Sequence, residues 1–133
     1  MASTKGMMDL SAGTKRRKLG QAAELRAAGY LADAGYTVID RNWRRRSGEL
    51  DIVARDGEWL VFVEVRARRG MLLGSPEESV TQRKQARLVH LAQQYLAECA
   101  WEGLWRIDVL ALLYAPDGSL AALNHLRDVV GLT

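Results

Sequence analysis

Two apolar runs stand out along the chain, Leu50-Asp51-Ile52-Val53-Ala54 and Trp59-Leu60-Val61-Phe62-Val63-Glu64-Val65, separated by Arg55-Asp56-Gly57-Glu58. Their β-branched and aromatic content predicts two strands, at about 49–55 and 58–67, and Asp-Gly between them predicts a hairpin. Upstream, Leu19, Ala22, Ala23, Ala27, Tyr30, Leu31 and Ala34 recur at spacings of three and four and predict a helix from Lys15 to Ala34, stopped by Gly35. Tyr36 to Asp40 follows as a first strand. Beyond the hairpin, Arg68 to Glu78 contains Gly70, Gly74 and Pro76 and predicts a loop. Ser79, or the earlier Ser75-Pro76-Glu77-Glu78, caps a second helix from about Pro76 to Ala100, with Val80, Leu88, Leu91, Ala92, Tyr95 and Leu96 in its apolar stripe. Trp105 to Leu113 is a further strand, Pro116-Asp117-Gly118-Ser119 a turn, and Leu120 to Leu126 a final strand. The order αβββαββ predicts an α/β fold with a mixed central sheet and flanking helices. Residues 1–14 are small and polar and predict a flexible tail before one domain spanning 15–133.

Length and composition narrow the picture. At 133 residues and 48% hydrophobic content the chain suits one globular domain with a real core. It has no apolar run near the roughly 18 residues of a membrane span, so no membrane association is expected. Met1 to Leu10 lacks the apolar core of a signal peptide. Cys99 is the single cysteine, which rules out an internal disulfide and predicts a cytoplasmic protein with a buried, inert thiol. One cysteine with the distant His90 and His125 matches no zinc spacing.

Charge changes the picture more. Glu49 and Asp51 enter one hairpin strand and Glu64 and Arg66 leave the other, where buried charge is costly unless paired or bound to a metal. With Asp56-Gly57 as a two-residue turn, Arg55 faces Glu58, Asp51 faces Phe62 and Glu49 faces Glu64. Glu49, Asp51, Glu64 and Arg66 then share one face, with Asp51 and Glu64 as diagonal neighbours roughly 7 Å apart. Two such carboxylates can share a divalent cation with oxygen ligands, or be neutralised by Arg66 and its neighbours in a structural network. The net charge of +3 is clustered. Lys15-Arg16-Arg17-Lys18, then Arg41 with Arg44, Arg45 and Arg46, then Arg66, Arg68 and Arg69, then Arg83, Lys84 and Arg87 bracket the acidic positions. Such an arrangement suits a polyanion whose phosphodiester must reach a metal, with Tyr36 and Trp43 placed to stack on bases. Asp108 in a late strand is expected to pair with Arg106 or make a core hydrogen bond, and Trp105 to lie in the core.

This order, with Asp51 and then Glu64-Val65-Arg66 on a hairpin, resembles the core of the PD-(D/E)xK, or restriction endonuclease-like, nuclease superfamily. More narrowly, the chain from about Leu19 resembles the YraN family of small bacterial proteins. The resemblance lies in Tyr30-Leu31 with Gly35-Tyr36, in Arg41-Asn42-Trp43-Arg44 and in Gly48-Glu49-Leu50-Asp51. It continues in Leu60 to Arg68, in Val80-Thr81 with Lys84-Gln85, and in Arg106-Ile107-Asp108-Val109. That family's fold is similar to Holliday-junction resolvases. The resemblance implies a Mg²⁺- or Mn²⁺-dependent endonuclease acting on DNA, branched or single-stranded. Asp51 and Glu64 would hold the metal with Glu24 and the Val65 carbonyl, Arg66 would take the lysine's place, and Glu49 and Gln85 would be accessory. Arg44, Arg45, Arg46, Arg68, Arg69 and Lys84 would hold flanking phosphates, and a homodimer would suit a symmetric junction. Two departures bear on activity. Arg66 stands where the superfamily has lysine and cannot act as a base, and Ala23 stands where relatives usually have glycine. A nucleic-acid-binding module without turnover, or an adaptor in DNA processing, is therefore the rival reading.

Overall fold

The computed structural model describes residues 11–70 and 82–130, with side chains from Gly20 onward. Helix α1 (Ser11–Asp33) is followed by β1 (Thr37–Arg45), β2 (Gly48–Asp56), β3 (Trp59–Arg69), α2 (Gln82–Glu98), β4 (Leu104–Tyr114) and β5 (Leu120–Leu126). The five strands form one sheet in sequence order. Every neighbouring pair is antiparallel except β3–β4, which runs parallel because α2 carries the chain back across the sheet between them.

The element order is the expected one, with shifted edges. Helix α1 begins at Ser11, inside the segment expected to be a tail, and Met1 to Leu10 lie outside the described residues. Strand β1 runs on to Arg45, so Arg41, Arg44 and Arg45 belong to a strand and not to the approach to one. Strand β3 keeps Arg68 and Arg69, which were expected in a loop. The expected cap at Ser75 to Ser79 lies outside the described residues, as do the side chains of Lys15 to Lys18.

The sheet is covered on both faces. Ala23, Ala27 and Leu31 of α1 pack on Ile52, Ala54, Val61, Val63, Leu110 and Leu112. Leu88, Leu91, Ala92, Tyr95 and Leu96 of α2 pack on Leu50, Val53, Leu60, Phe62 and Ile107. Small residues on α1 let the helix lie close to β3, which matters below because α1 also carries Glu24.

The hairpin departs from the expected register. Asp56 pairs with Trp59, so Gly57-Glu58 is the turn and each cross-strand partner moves by two residues. Gly57 at φ 61° takes the first central position, where type II′ turns favour glycine. A two-residue shift preserves the faces, but the ladder ends at Ile52–Val63 although both strands continue. Leu50 packs under α2 while Ile52 packs under α1, so side-chain alternation breaks across Asp51. The flat face shared by Glu49, Asp51, Glu64 and Arg66 is therefore replaced by a kink at Asp51.

Gly48 closes the β1–β2 turn opposite Arg45 with φ 145°, a region essentially restricted to glycine. A Cβ there would also sit 3.2 Å from Leu91 Cδ1. Gly48→Ala is expected to cost about 1–3 kcal/mol, visible as a lowered midpoint in a thermal melt followed by circular dichroism.

Candidate metal centre

The kink gathers carboxylates from two elements. Glu24 of α1 and Glu49 and Asp51 of β2 place one oxygen each within 4.8 Å of one another. Where β2 and β3 part, the Asp51 carboxylate takes the place of a ladder carbonyl and its Oδ2 accepts the Val65 N–H at 2.8 Å. Opposite Asp51 on β1 lies Asn42, between the pairs Arg41–Ile52 and Trp43–Leu50, at φ 54°. Asparagine tolerates that left-handed conformation better than most residues. With its amide nitrogen turned inward, Asn42 donates to Glu24 Oε1 at 2.8 Å and Glu49 Oε2 at 2.7 Å, holding the two carboxylates side by side.

The electrostatics follow from the crowding. Burial, then Glu64, push the Asp51 carboxyl up to about 8, against the opposing pull of the Val65 N–H. Burial and Glu49 also raise Glu24, while Arg41, Asn42 and Arg44 pull it back. Glu49 is ion-paired with Arg44 at 3.4 Å and Glu64 with Arg66 at 3.3 Å. Lys84 of α2 feels Arg66 and Glu64, and burial followed by Arg66 lowers its pKa.

Two hollows flank the group. One, of about 340 Å³, is lined by Gly20, Ala23, Glu24, Asp51 and the run Glu64 to Ala67. The other, of about 500 Å³, is lined by Gly20, Gln21, Glu24, Leu25, Arg41, Asn42, Arg44 and Glu49. All donors in the acidic group are carboxylate oxygens, a set suited to a hard cation such as Mg²⁺ or Mn²⁺.

Several expected site residues lie elsewhere or are otherwise engaged. Arg45 makes two hydrogen bonds to the Glu98 carboxylate and lies 4.0 Å over the Trp43 ring. Trp43 itself packs edge-on against Tyr95 beside the α2 core, and Tyr36 is buried with its hydroxyl accepting from Arg106 at 2.9 Å. Neither ring is a free stacking platform. Arg46 and Arg69 are exposed, and Gln85 is half-buried on α2 beside Lys84. Arg68 is half-buried on β3. Cys99 is exposed at the end of α2 and not buried as expected. Asp108 does pair with Arg106, at 3.0 Å, and is fully buried, while half-buried Trp105 packs edge-on against Phe62.

Asn42 is the contributor that motif reasoning missed. Its signal was a strand-averse residue in the middle of a strand, opposite an acidic residue.

The fold and this cleft define an α/β domain with a carboxylate group set at a fork in its central sheet. The chain matches the model of the uncharacterised protein family UPF0102 over residues 23–112, a span that includes every carboxylate of the group. It is 46% identical over 112 residues to a UPF0102 protein of Rhodococcus opacus, covering 83% of this chain and 93% of that protein. A UPF0102 protein of Chloroflexus aurantiacus is 46% identical over 120 residues, 89% and 97% of the two chains. One from Symbiobacterium thermophilum is 50% identical over 105 residues, 78% and 89%. The chain belongs to this family, the YraN family that its motifs resemble. No helix among the described residues is long and apolar enough to cross a membrane.

Proposed function

We propose that this protein is a metal-dependent nuclease, hydrolysing phosphodiesters in nucleic acid, with DNA as the expected substrate. The observation that carries the proposal is the convergence of Glu24, Glu49 and Asp51 from two elements that only the fold brings together. Three carboxylates so close repel one another, and a divalent cation relieves that repulsion. Asp51, Glu24 and Glu49 would hold the ion, with Glu64 and the Val65 carbonyl on the β3 side. A bound Mg²⁺ or Mn²⁺ supplies a more acidic water and neutralises charge on the scissile phosphate. Arg66, fixed beside Glu64, binds a phosphate oxygen and stays charged throughout, so the attacking water loses its proton to a carboxylate and not to residue 66. Arg41 and Arg44 draw the polyanion to the other side of the group.

Binding without turnover is the second reading. Its supporting observation is that Arg66 and Arg44 already pair with Glu64 and Glu49, which partly neutralises the site without any ion.

One assay separates the two. Labelled four-way junction, flap, single strand, duplex and RNA are incubated with Mg²⁺, Mn²⁺ or EDTA, for the wild type beside Glu64→Ala. Metal-dependent cutting is expected, reduced roughly a hundredfold in the variant. Binding with no cutting under any condition would replace the nuclease by the binding module.

A further inference from the structure

The kink at Asp51 has a counterpart on β1. Arg41 lines the hollow beside α1, whereas Trp43, two residues on, packs on the α2 side of the sheet. Side-chain alternation therefore breaks at Asn42 on β1 just as it breaks at Asp51 on β2. The flanking pairs, Arg41–Ile52 and Trp43–Leu50, stay in register across the break. Asn42 accommodates it with a left-handed backbone at φ 54°. Glycine, asparagine and aspartate are the residues that tolerate this conformation best, and of the three only asparagine brings side-chain donors into it.

Asn42 is exposed, so core packing does not dictate its side chain. The acidic group makes use of it instead. Turned inward, the amide nitrogen gives one hydrogen to Glu24 Oε1 at 2.8 Å and the other to Glu49 Oε2 at 2.7 Å, which joins α1 to β2 through β1. The reverse orientation would set the amide oxygen against two carboxylate oxygens. A lysine or arginine between the same two carboxylates would order them and also cancel the charge that attracts a cation. A carboxamide is neutral, so it orders them and leaves their charge whole. Arg44 does meet the other oxygen of Glu49, at 3.4 Å, but its side chain is 75% exposed and its charge is screened by solvent. We propose that Asn42 is the positioning residue of the acidic group: its neutral amide holds Glu24 and Glu49 at the spacing that receives a divalent cation, without neutralising them. This rests on the metal-dependent reading and adds to it the residue that presets the ligands.

The test is the Mn²⁺ affinity of the full chain, read from the free-ion signal in electron paramagnetic resonance with no substrate present. Asn42→Gly keeps the left-handed backbone and deletes the amide. It is expected to weaken Mn²⁺ binding about tenfold, the usual scale for a residue that orients metal ligands. In a Glu49→Ala background the amide has one carboxylate fewer to join, and the same substitution is expected to weaken binding by no more than about twofold further. Leu96→Ala removes packing on the α2 side of the sheet and controls for general loosening. It is expected to leave Mn²⁺ affinity within about twofold of the wild type, since no ligand is touched. A melt of each variant in EDTA checks that the fold is retained. Wild-type affinity in Asn42→Gly, an equal loss in both backgrounds, or a loss matched by Leu96→Ala overturns the inference and leaves the metal site standing. Absence of Mn²⁺ binding by the wild type overturns the inference and the metal-dependent reading together.

Discussion

Asp51→Asn is expected to abolish metal-dependent cleavage while making the metal-free protein more stable in alkaline solution. The asparagine oxygen can still accept the Val65 N–H, so the fork between β2 and β3 keeps its cap. The charge is what changes. Burial and Glu64 raise the folded-state pKa of Asp51 to about 8 from an ordinary value of 3.8, so the native protein binds more protons than the unfolded chain between those limits. Stability therefore falls as pH rises through that window, and the whole cost is present above about pH 8. The variant escapes this loss. At pH 9 in EDTA it should be more stable than the wild type by on the order of 2 kcal/mol, or roughly 6–8 °C in Tm, with the gap closing toward pH 4.

Added Mn²⁺ should reverse the ranking, because the ion stabilises the ionised wild-type site and has lost a ligand in the variant. Turnover should fall roughly a hundredfold or more. Melts across pH 4 to 9, with and without Mn²⁺, measure the stability effects directly. An alkaline wild type as stable as Asp51→Asn would mean that the carboxylates are already neutralised by their arginines, and the case for a bound cation would lose its main physical support.

Asp108→Ala should produce the largest loss of stability in the molecule. Asp108 is fully buried and accepts from four groups: Arg106 Nε at 3.0 Å and a terminal Arg106 nitrogen at 3.3 Å, His125 Nε2 at 2.8 Å, and the Asp128 N–H at 2.9 Å. His125 in turn meets the Tyr30 hydroxyl at 3.2 Å, and Arg106 reaches the Tyr36 hydroxyl and Asp56. One carboxylate thus ties β4 and β5 to α1 and to the end of the β2–β3 hairpin. Removing it leaves a guanidinium with side-chain exposure of only 10% beside a half-satisfied imidazole. Breaking a buried pair from one side costs about 3–5 kcal/mol, roughly 10–15 °C here. Asp108→Asn, which keeps one acceptor oxygen, should lose less. Chemical denaturation of both variants tests this, and an alanine variant within about 1 kcal/mol of wild type would show that the network is not a major tie. The effect also reaches the acidic group, since Tyr30 is on the same helix as Glu24. A loosened α1 should weaken Mn²⁺ binding even though Asp108 is not a ligand.

Much of this was legible in the chain. The element order followed from local periodicity, because strands of alternating or continuous β-branched residues and a helix of spaced alanines and leucines each bury a face on their own pattern. Asp51 and Glu64 were conspicuous because charge is rare inside such strands. The Asp108–Arg106 pair could be anticipated from two residues of opposite charge, two apart, on one strand face.

The register could not be read in this way. Asp-Gly and Gly-Glu are both acceptable two-residue turns at Asp56 to Glu58, and the structure uses Gly57-Glu58. A two-residue shift leaves every face unchanged, so the hydrophobic pattern is blind to it. The roles of the arginines and aromatics were equally invisible. Trp43, Tyr36 and Arg45 look like a nucleic-acid surface in one dimension, yet each is taken up by a partner more than 50 residues away in the chain.

The sequence by itself determined which segments become strands and helices and which charges are out of place. The family resemblance had set Glu24 beside Asp51, but the tertiary structure alone decided that Glu49 stands as close to them as they do to each other, that Asn42 joins them, and that two hollows open beside them. Local pattern encodes which face of an element is buried, whereas a site built across elements depends on where the strands fork and how closely α1 approaches. Those are properties of packing, set by side chains distant in the chain.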